Sequence, residues 1–393
     1  EICACLVGSE MCIRDRYKVS LSRQTYEEYF ARIKSGDPSK LVVIIDEAQF
    51  VAKRDASFME AVAKLKKHKL YPGPVLIILA TSSTVWATQE ASEQFKGAEM
   101  KLESLNFLEV VRHFESLPVA EIVRIYGAIG GVPAYLDKWD AAKSFKENIC
   151  RLVLTQSGAL YGEADAVISS ELRELSAYST ILAAIARGEN KLNDIFHATG
   201  FSRAKISVYL KNLANFNIVE KVVSFETGGW ENAKKGVYQI KDTFVNFWFK
   251  FVYPNMSNLY LLSPEEFYDT YIEKELDAYL ERYFREVCTE YLLILNQMGQ
   301  LPFTIKRVGT WIGKTGRIDI VAQSEDRRSI IGFCNWDKPM MTMDMCENMA
   351  MAMDQARLTS DDYYLFSATD FEPALQSYVV RDPRFKLINM NEL

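Results

Sequence analysis

The chain's 393 residues are enough for two or three domains, and a 49% hydrophobic content is that of packed cores, which argues against a mainly disordered protein. Its 46 Lys and Arg against 52 Asp and Glu give a net charge of -6, so affinity for nucleic acid can come only from a local basic surface. No apolar run approaches the roughly 20 residues of a membrane span, so the expected protein is soluble and cytoplasmic.

The first 16 residues, EICACLVGSEMCIRDR, hold three of the seven cysteines and carry no helix, strand or signal-peptide pattern. Residues 5–16 resemble the translation of a sequencing adapter, so 1–16 is expected to be a non-native leader, with coding sequence missing upstream. The remaining cysteines form no CxxC repeat and the three histidines are dispersed at 68, 113 and 197, which makes structural zinc and a disulfide framework poor expectations.

LVVIIDEAQF at 41–50 places Asp46 and Glu47 directly after a short apolar strand of the kind buried on both faces in an α/β sheet. This is a Walker-B-like pattern. Asp46 is suited to orient magnesium or its water shell and Glu47 to polarise water toward a γ-phosphate. The alternative is an acidic turn that caps the next helix.

Residues 57–68 predict a helix, PGP at 72–74 breaks it, and VLIILATSS at 75–83 predicts a second buried strand. Strand, helix, strand fits a P-loop core. Ser82 or Ser83 then occupies the polar position that senses phosphate, with Ser82 favoured.

A phosphate loop needs GxxxxGK[ST], whose turn aims backbone N–H groups at phosphate while its Lys supplies charge. None precedes Asp46. GTWIGKT at 309–315 has only three residues between its glycines and leads into an extended pattern, so it is read as a decoy.

Gly130-Gly131-Val132-Pro133 reads as a turn between helical stretches. Residues 176–225 read as three helices followed by a strand, with β-rich residues returning near 237, a winged helix-turn-helix. In its third helix Ser202 is a cap, and Ile206, Tyr209, Leu210 and Leu213 form an apolar stripe that leaves Arg203, Lys205 and Lys211 to solvent. Those bases are candidate contacts to DNA phosphates. With six Lys and Arg against four Asp and Glu over 178–226, a protein contact or coupling role is an equal alternative. The run Phe244, Phe247, Trp248, Phe249, Phe251, Tyr253 imitates a base-stacking platform, but its density and Pro254 favour a buried contact.

Residues 273–296 predict an amphipathic helix, 316–321 and 330–334 strands, 343–358 a helix and 363–367 a strand. The methionines at 340, 341, 343, 345, 349, 351 and 353 read as helix packing or an adaptable partner surface.

From Tyr17 onward, VVIIDEAQF at 42–50, IGGVPAYL at 129–136 and GVYQIKDTFVNFWFKFVYPN at 236–255 occur in an order that resembles a family of archaeal and bacterial predicted P-loop ATPases. That family is related to the AAA+ and STAND groups and carries a C-terminal domain of unknown function. The resemblance implies ATP and Mg2+ as ligands of the complete protein, with Asp46 and Glu47 as its Walker-B acids and the phosphate loop in absent upstream sequence. It also implies that this chain by itself binds ATP poorly. A Gly-Arg motif of the family is answered by Phe95-Lys96-Gly97-Ala98, which lacks the arginine.

The C-terminal elements resemble a restriction-endonuclease-like α/β core, in which Asp319 is the retained acid. Phe333 and Asn335 stand where relatives carry Glu and Lys, Arg285 where they carry a helix acid, and Glu286 or Glu290 are the remaining substitutes. The implied nuclease is degenerate.

The combined expectation is an α/β multidomain chain: part of a P-loop ATPase core at 17–115, a helical lid at 116–175, a winged helix-turn-helix with its aromatic segment at 176–255, and a nuclease-like domain at 256–393. The expected partners are DNA through the winged helix, or a protein or second copy, and no membrane. The alternative function is a non-catalytic DNA-binding or protein-interaction scaffold.

Overall fold

The computed structural model describes residues 25–33, 41–67, 71, 73–83, 86–169, 172, 174–225, 236–313 and 316–392. The proposed leader, Pro72, and Lys314 and Thr315 of the decoy loop lie outside the described residues. The chain divides into two compact units, Glu1–Leu102 and Glu103–Leu393.

In the first unit, helix α1 (Tyr26–Arg32) opens on a capping box between Thr25 and Glu28. Strands β1 (Leu41–Ile45) and β2 (Val75–Leu79) pair in parallel, Leu41 against Val75 through Ile45 against Leu79, and helices α2 (Ala48–Arg54) and α3 (Ser57–Lys66) connect them. Alternation along β1 sends Leu41, Val43 and Ile45 into a core with Phe30, Phe58, Ala61, Val62, Leu65 and Trp86. The opposite face is open: Val42, Leu76 and Ile78 are 39, 57 and 42% exposed. The expected burial of both faces is not met, because the apolar core of the described residues collects on one side of the pair.

The second unit opens with α4 (Phe107–His113) and α5 (Val119–Ile129). After α5 the chain turns at Gly130 (φ +69°) and Gly131, where a Cβ would stand 1.9 Å from the Leu105 carbonyl oxygen. Glycine is required there by the close backbone approach, which a hydrogen bond from the Leu105 N–H to the Gly131 carbonyl (2.8 Å) seals.

Three helices follow further on, α6 (Leu175–Ala186), α7 (Leu192–Thr199) and α8 (Arg203–Asn215), then an antiparallel pair, β3 (Val219–Val222) with β4 (Val237–Ile240). This is the element order of a winged helix-turn-helix. Gly200 at φ +68° ends α7, Ser202 caps α8 by accepting from the Lys205 N–H, and Ile206, Tyr209, Leu210 and Leu213 are buried as the helical period requires.

Helix α9 (Thr243–Phe247) continues into a π-helical turn, Trp248–Val252. Phe244, Phe247, Trp248, Phe249 and Phe251 are all buried, so this run is core and offers no stacking platform. Phe247 and Phe251 meet Tyr279 edge-on, which ties the segment to the long helix α10 (Glu273–Gln297).

The chain ends in a five-stranded sheet, order β11-β9-β7-β6-β5. Strands β5 (Arg307–Ile312), β6 (Arg317–Gln323) and β7 (Ser329–Asn335) are antiparallel, and β7, β9 (Asp362–Ser367) and β11 (Phe385–Asn389) are parallel. A short parallel pair, β8 (Met340–Met341) and β10 (Asp370–Phe371), lies beside it in sequence. Helices α11 (Met343–Ala356) and α12 (Pro373–Arg381) make the crossovers.

Both faces of this sheet are covered. Ala322, Ile330 and Phe366 join the core that includes α10, while their neighbours Val321, Ile331 and Leu365 join Met349, Ala352 and Met353 of α11. Met341, Met349 and Met353 fill that second core, whereas Met340 and Met351 are exposed.

Candidate functional site

The acid pair sits where two parallel strands end together. Past the last sheet pair, the Ala80 N–H donates to the Ile45 carbonyl (2.9 Å) and the Ala48 N–H donates to the Ala80 carbonyl (3.0 Å), so the turn after β1 is held beside the turn after β2. Glu47 takes up the left-handed conformation (φ 48°, ψ 42°), which costs a non-glycine residue about 1–2 kcal/mol. That backbone turn faces its carboxylate toward β2. Glu47 Oε2 accepts from Ser82 Oγ (2.8 Å), the Ser82 N–H (3.2 Å) and Gln49 Nε2 (2.5 Å).

Gln49 is the residue that sequence reasoning missed. It is buried, its amide nitrogen also donates to Ser82 Oγ (3.2 Å), and its amide oxygen accepts from Thr81 Oγ1 (2.6 Å). The signal was present as a polar side chain two positions beyond the acid pair. Ser82 faces Glu47, whereas Ser83 is buried and its Oγ accepts from the Trp86 N–H (3.4 Å). Although Glu47 stands at the N-cap position of α2, its side chain makes no capping bond, which counts against the capping alternative.

Partial burial raises the Glu47 pKa, but the hydrogen bonds from Gln49 and Ser82 outweigh it and hold the carboxyl below its usual value. Near neutral pH Glu47 is therefore an anion that orients a donor and is a weak proton acceptor. Asp46 is exposed, with Oδ1 accepting from the Glu47 N–H (3.0 Å). Among the described residues no group of three His, Cys, Asp or Glu gathers to cage a metal. One exposed carboxylate fits the way Mg2+ is held, through one or two carboxylates with phosphate and water supplying the remaining ligands.

On α8, Arg203 is stacked over Phe196 (4.1 Å) and donates to Asn193 Oδ1 (2.6 Å), and Lys205 lies over Phe201 and Tyr209 (4.5 and 5.2 Å). Lys211 is exposed. Cation–π stacking restrains the first two heads while leaving guanidinium and ammonium N–H groups at their edges.

Asp319 is 5% exposed and fully engaged. Oδ1 accepts from Arg317 Nε (3.0 Å), Oδ2 accepts from the Cys334 N–H (3.1 Å), and Arg285 Nε stands 3.7 Å away. The ladder between β6 and β7 begins at Ile320 against Gly332, so this carboxylate takes over the pairing where the two strands part. The other expected members do not join it. Glu290 accepts from the Phe107 and Leu108 N–H groups (3.0 and 3.1 Å) at the start of α4, and Glu286 pairs with Arg282 (2.8 Å). Phe333 packs into the sheet core, and Asn335 is buried, donating to Ser367 Oγ (3.0 Å).

Among the described residues no helix is long and apolar enough to cross a membrane. A family described as archaeal and bacterial proteins of unknown function, DUF234, matches residues 248–351. An uncharacterized protein of Methanocaldococcus jannaschii, MJECL04, is 27% identical over 326 residues, which cover 81% of this chain and 71% of that protein. Among solved structures, the Orc1 protein of Aeropyrum pernix in complex with DNA is similar at a TM-score of 0.29 and 13% identity, over 59% of this chain and 68% of that one. Protein VC1899 from Vibrio cholerae is similar at a TM-score of 0.23 and 11% identity, over 93% of this chain and 92% of that one.

Proposed function

We propose that residues 41–83 are the acid side of a P-loop nucleotide site, in a protein that couples ATP binding or hydrolysis to a winged helix. The observation that carries this reading is the left-handed Glu47, whose carboxylate reaches across the ends of two parallel strands to Ser82. Mg-ATP, when bound, supplies the γ-phosphate and the metal that neutralises its charge. Asp46 would hold the metal through its water shell, and Glu47 would orient water once Ser82 and Gln49 release its carboxylate.

The reading requires a phosphate loop. GxxxxGK[ST] is absent from the 393 residues, and the decoy glycines at 309 and 313 belong to an antiparallel hairpin of β5 and β6. The test is ATP binding by a form of the protein that carries such a loop, compared with a variant whose phosphate-loop Lys is changed to Ala. Binding by the first and not the second is expected, and equal binding overturns the assignment. The 393-residue chain by itself is expected to bind ATP weakly or not at all.

The second reading, a non-catalytic DNA-binding scaffold, is favoured by Arg203 and Lys205 being held over aromatic rings on α8. Salt-sensitive affinity for duplex DNA that is unchanged after Arg203, Lys205 and Lys211 are each replaced by Gln rejects the helix contact and leaves a protein partner.

A further inference from the structure

Arg285 and Arg317 form a cluster that neither reading uses. Arg285 projects from α10 with its side chain 16% exposed, and Arg317 lies at the start of β6 with its side chain 42% exposed. They share one carboxylate, the buried Asp319, and only Arg317 hydrogen-bonds to it. Arg285 stands 3.7 Å from Asp319 and 3.8 Å from Glu281, beyond hydrogen-bonding reach of both, and among the described residues its guanidinium donates no hydrogen bond. Arg285 is thus a mostly buried guanidinium that two carboxylates face at ion-pair distance while its five N–H donors form no hydrogen bond among the described residues, and Arg317 is a second guanidinium sharing one of those carboxylates.

Asp319 does not complete the set, because Arg285 Nε stops 3.7 Å from Oδ1, which accepts from Arg317 Nε, while Oδ2 accepts from the Cys334 N–H. The Nη groups of Arg317 have no partner among the described residues, and that side chain is open to solvent. A tetrahedral oxyanion supplies what is missing, with several acceptors, negative charge and the geometry that pairs with two guanidinium forks. Glu281, 40% exposed, is the carboxylate that faces this position and limits the affinity.

We propose that Arg285 and Arg317 form a phosphate-binding site at the junction of α10 and β6, taking a phosphate group from a free phosphate ligand or from a nucleic-acid backbone. Asp319 is then a positioning residue that aims Arg317 and does not touch the ligand.

The test uses the full chain in two arms, calorimetric titration with pyrophosphate and titration of a labelled DNA duplex at two salt concentrations. Arg317→Gln is the main variant, since a half-exposed strand-end side chain is replaced without opening the core, and an unchanged amide spectrum shows that it folds. Arg285→Lys keeps the charge and removes the fork, and Arg203→Gln controls for the α8 surface. The native protein is expected to bind in at least one arm, with affinity falling about tenfold in Arg317→Gln. Loss in the pyrophosphate arm assigns a free phosphate ligand, and loss confined to the duplex arm assigns a phosphodiester. No binding by the native protein in either arm, or equal binding by native and Arg317→Gln proteins in both, overturns the proposal.

Discussion

The parallel pair β1–β2 and the five-stranded sheet that ends the chain are built from the same kind of apolar strand, yet they treat their acids in opposite ways. In the large sheet, helices cover both faces and the buried polar side chains Asp319 and Asn335 are partnered: Asp319 bridges Arg317 and the Cys334 N–H, and Asn335 bonds Ser367. In the pair, one face is open and the acids stand past the last paired strand residues, with Asp46 exposed and Glu47 bonded to neutral donors. The difference lies in desolvation. A carboxylate buried in a sheet must be neutralised and becomes part of the framework, while one at an open strand end stays ionised and available.

Changing the two acids gives the largest contrast. Asp319→Leu leaves Arg285 and Arg317 without their shared counter-charge and the Cys334 N–H without its acceptor, so a loss of about 3–5 kcal/mol is expected from urea unfolding of the second unit. Asp46→Asn, at an exposed position, is expected to change stability by less than about 0.5 kcal/mol. Similar costs for the two would abolish the distinction.

A second contrast compares apolar strand residues. Ile331, fully buried in β7, is expected to cost about 3 kcal/mol when cut to Ala, and Leu76 on the open face of β2 less than about 1 kcal/mol. A Leu76 effect as large as that of Ile331 would mean that the open face is covered in solution.

Glu290→Ala removes the acceptor for two N–H groups at the start of α4 and is expected to cost about 1 kcal/mol. Faster amide exchange at Phe107 and Leu108, with α10 unchanged, is the reading that checks it.

The smallest effect concerns protons. Ser82→Ala removes the hydroxyl donor to Glu47 and leaves the backbone N–H, so the carboxyl pKa rises toward the ordinary carboxylate value, as followed by carboxyl NMR. Because the native pKa is depressed, the stabilisation is present above the unfolded-state value and is lost as pH falls through the folded one, and Ser82→Ala shrinks that window. An unmoved Glu47 titration would show that the Ser82 hydroxyl has no hold on the acid.

Much of this was legible from local pattern. The run LVVIID marked the end of a strand and its acids, the spacing of Ile206, Tyr209, Leu210 and Leu213 marked the buried stripe of α8, and the aromatic density at 244–253 marked core. These follow from side-chain period and apolar content, which are properties of neighbouring residues. What the acids do was not legible in the same way. Gln49 meets Ser82 33 positions away, Asp319 meets Arg285 34 positions away, and Glu290 meets Phe107 183 positions away.

The sequence by itself determined where strands end, which helix faces are apolar and which acids follow a strand. Only the tertiary structure decided that Glu47 is held by Ser82 and Gln49, that Asp319 belongs to two arginines, and that one sheet is covered while the other is open. The physical reason is that period is written in consecutive residues, whereas desolvation and charge pairing depend on distant segments that meet only when the chain has folded.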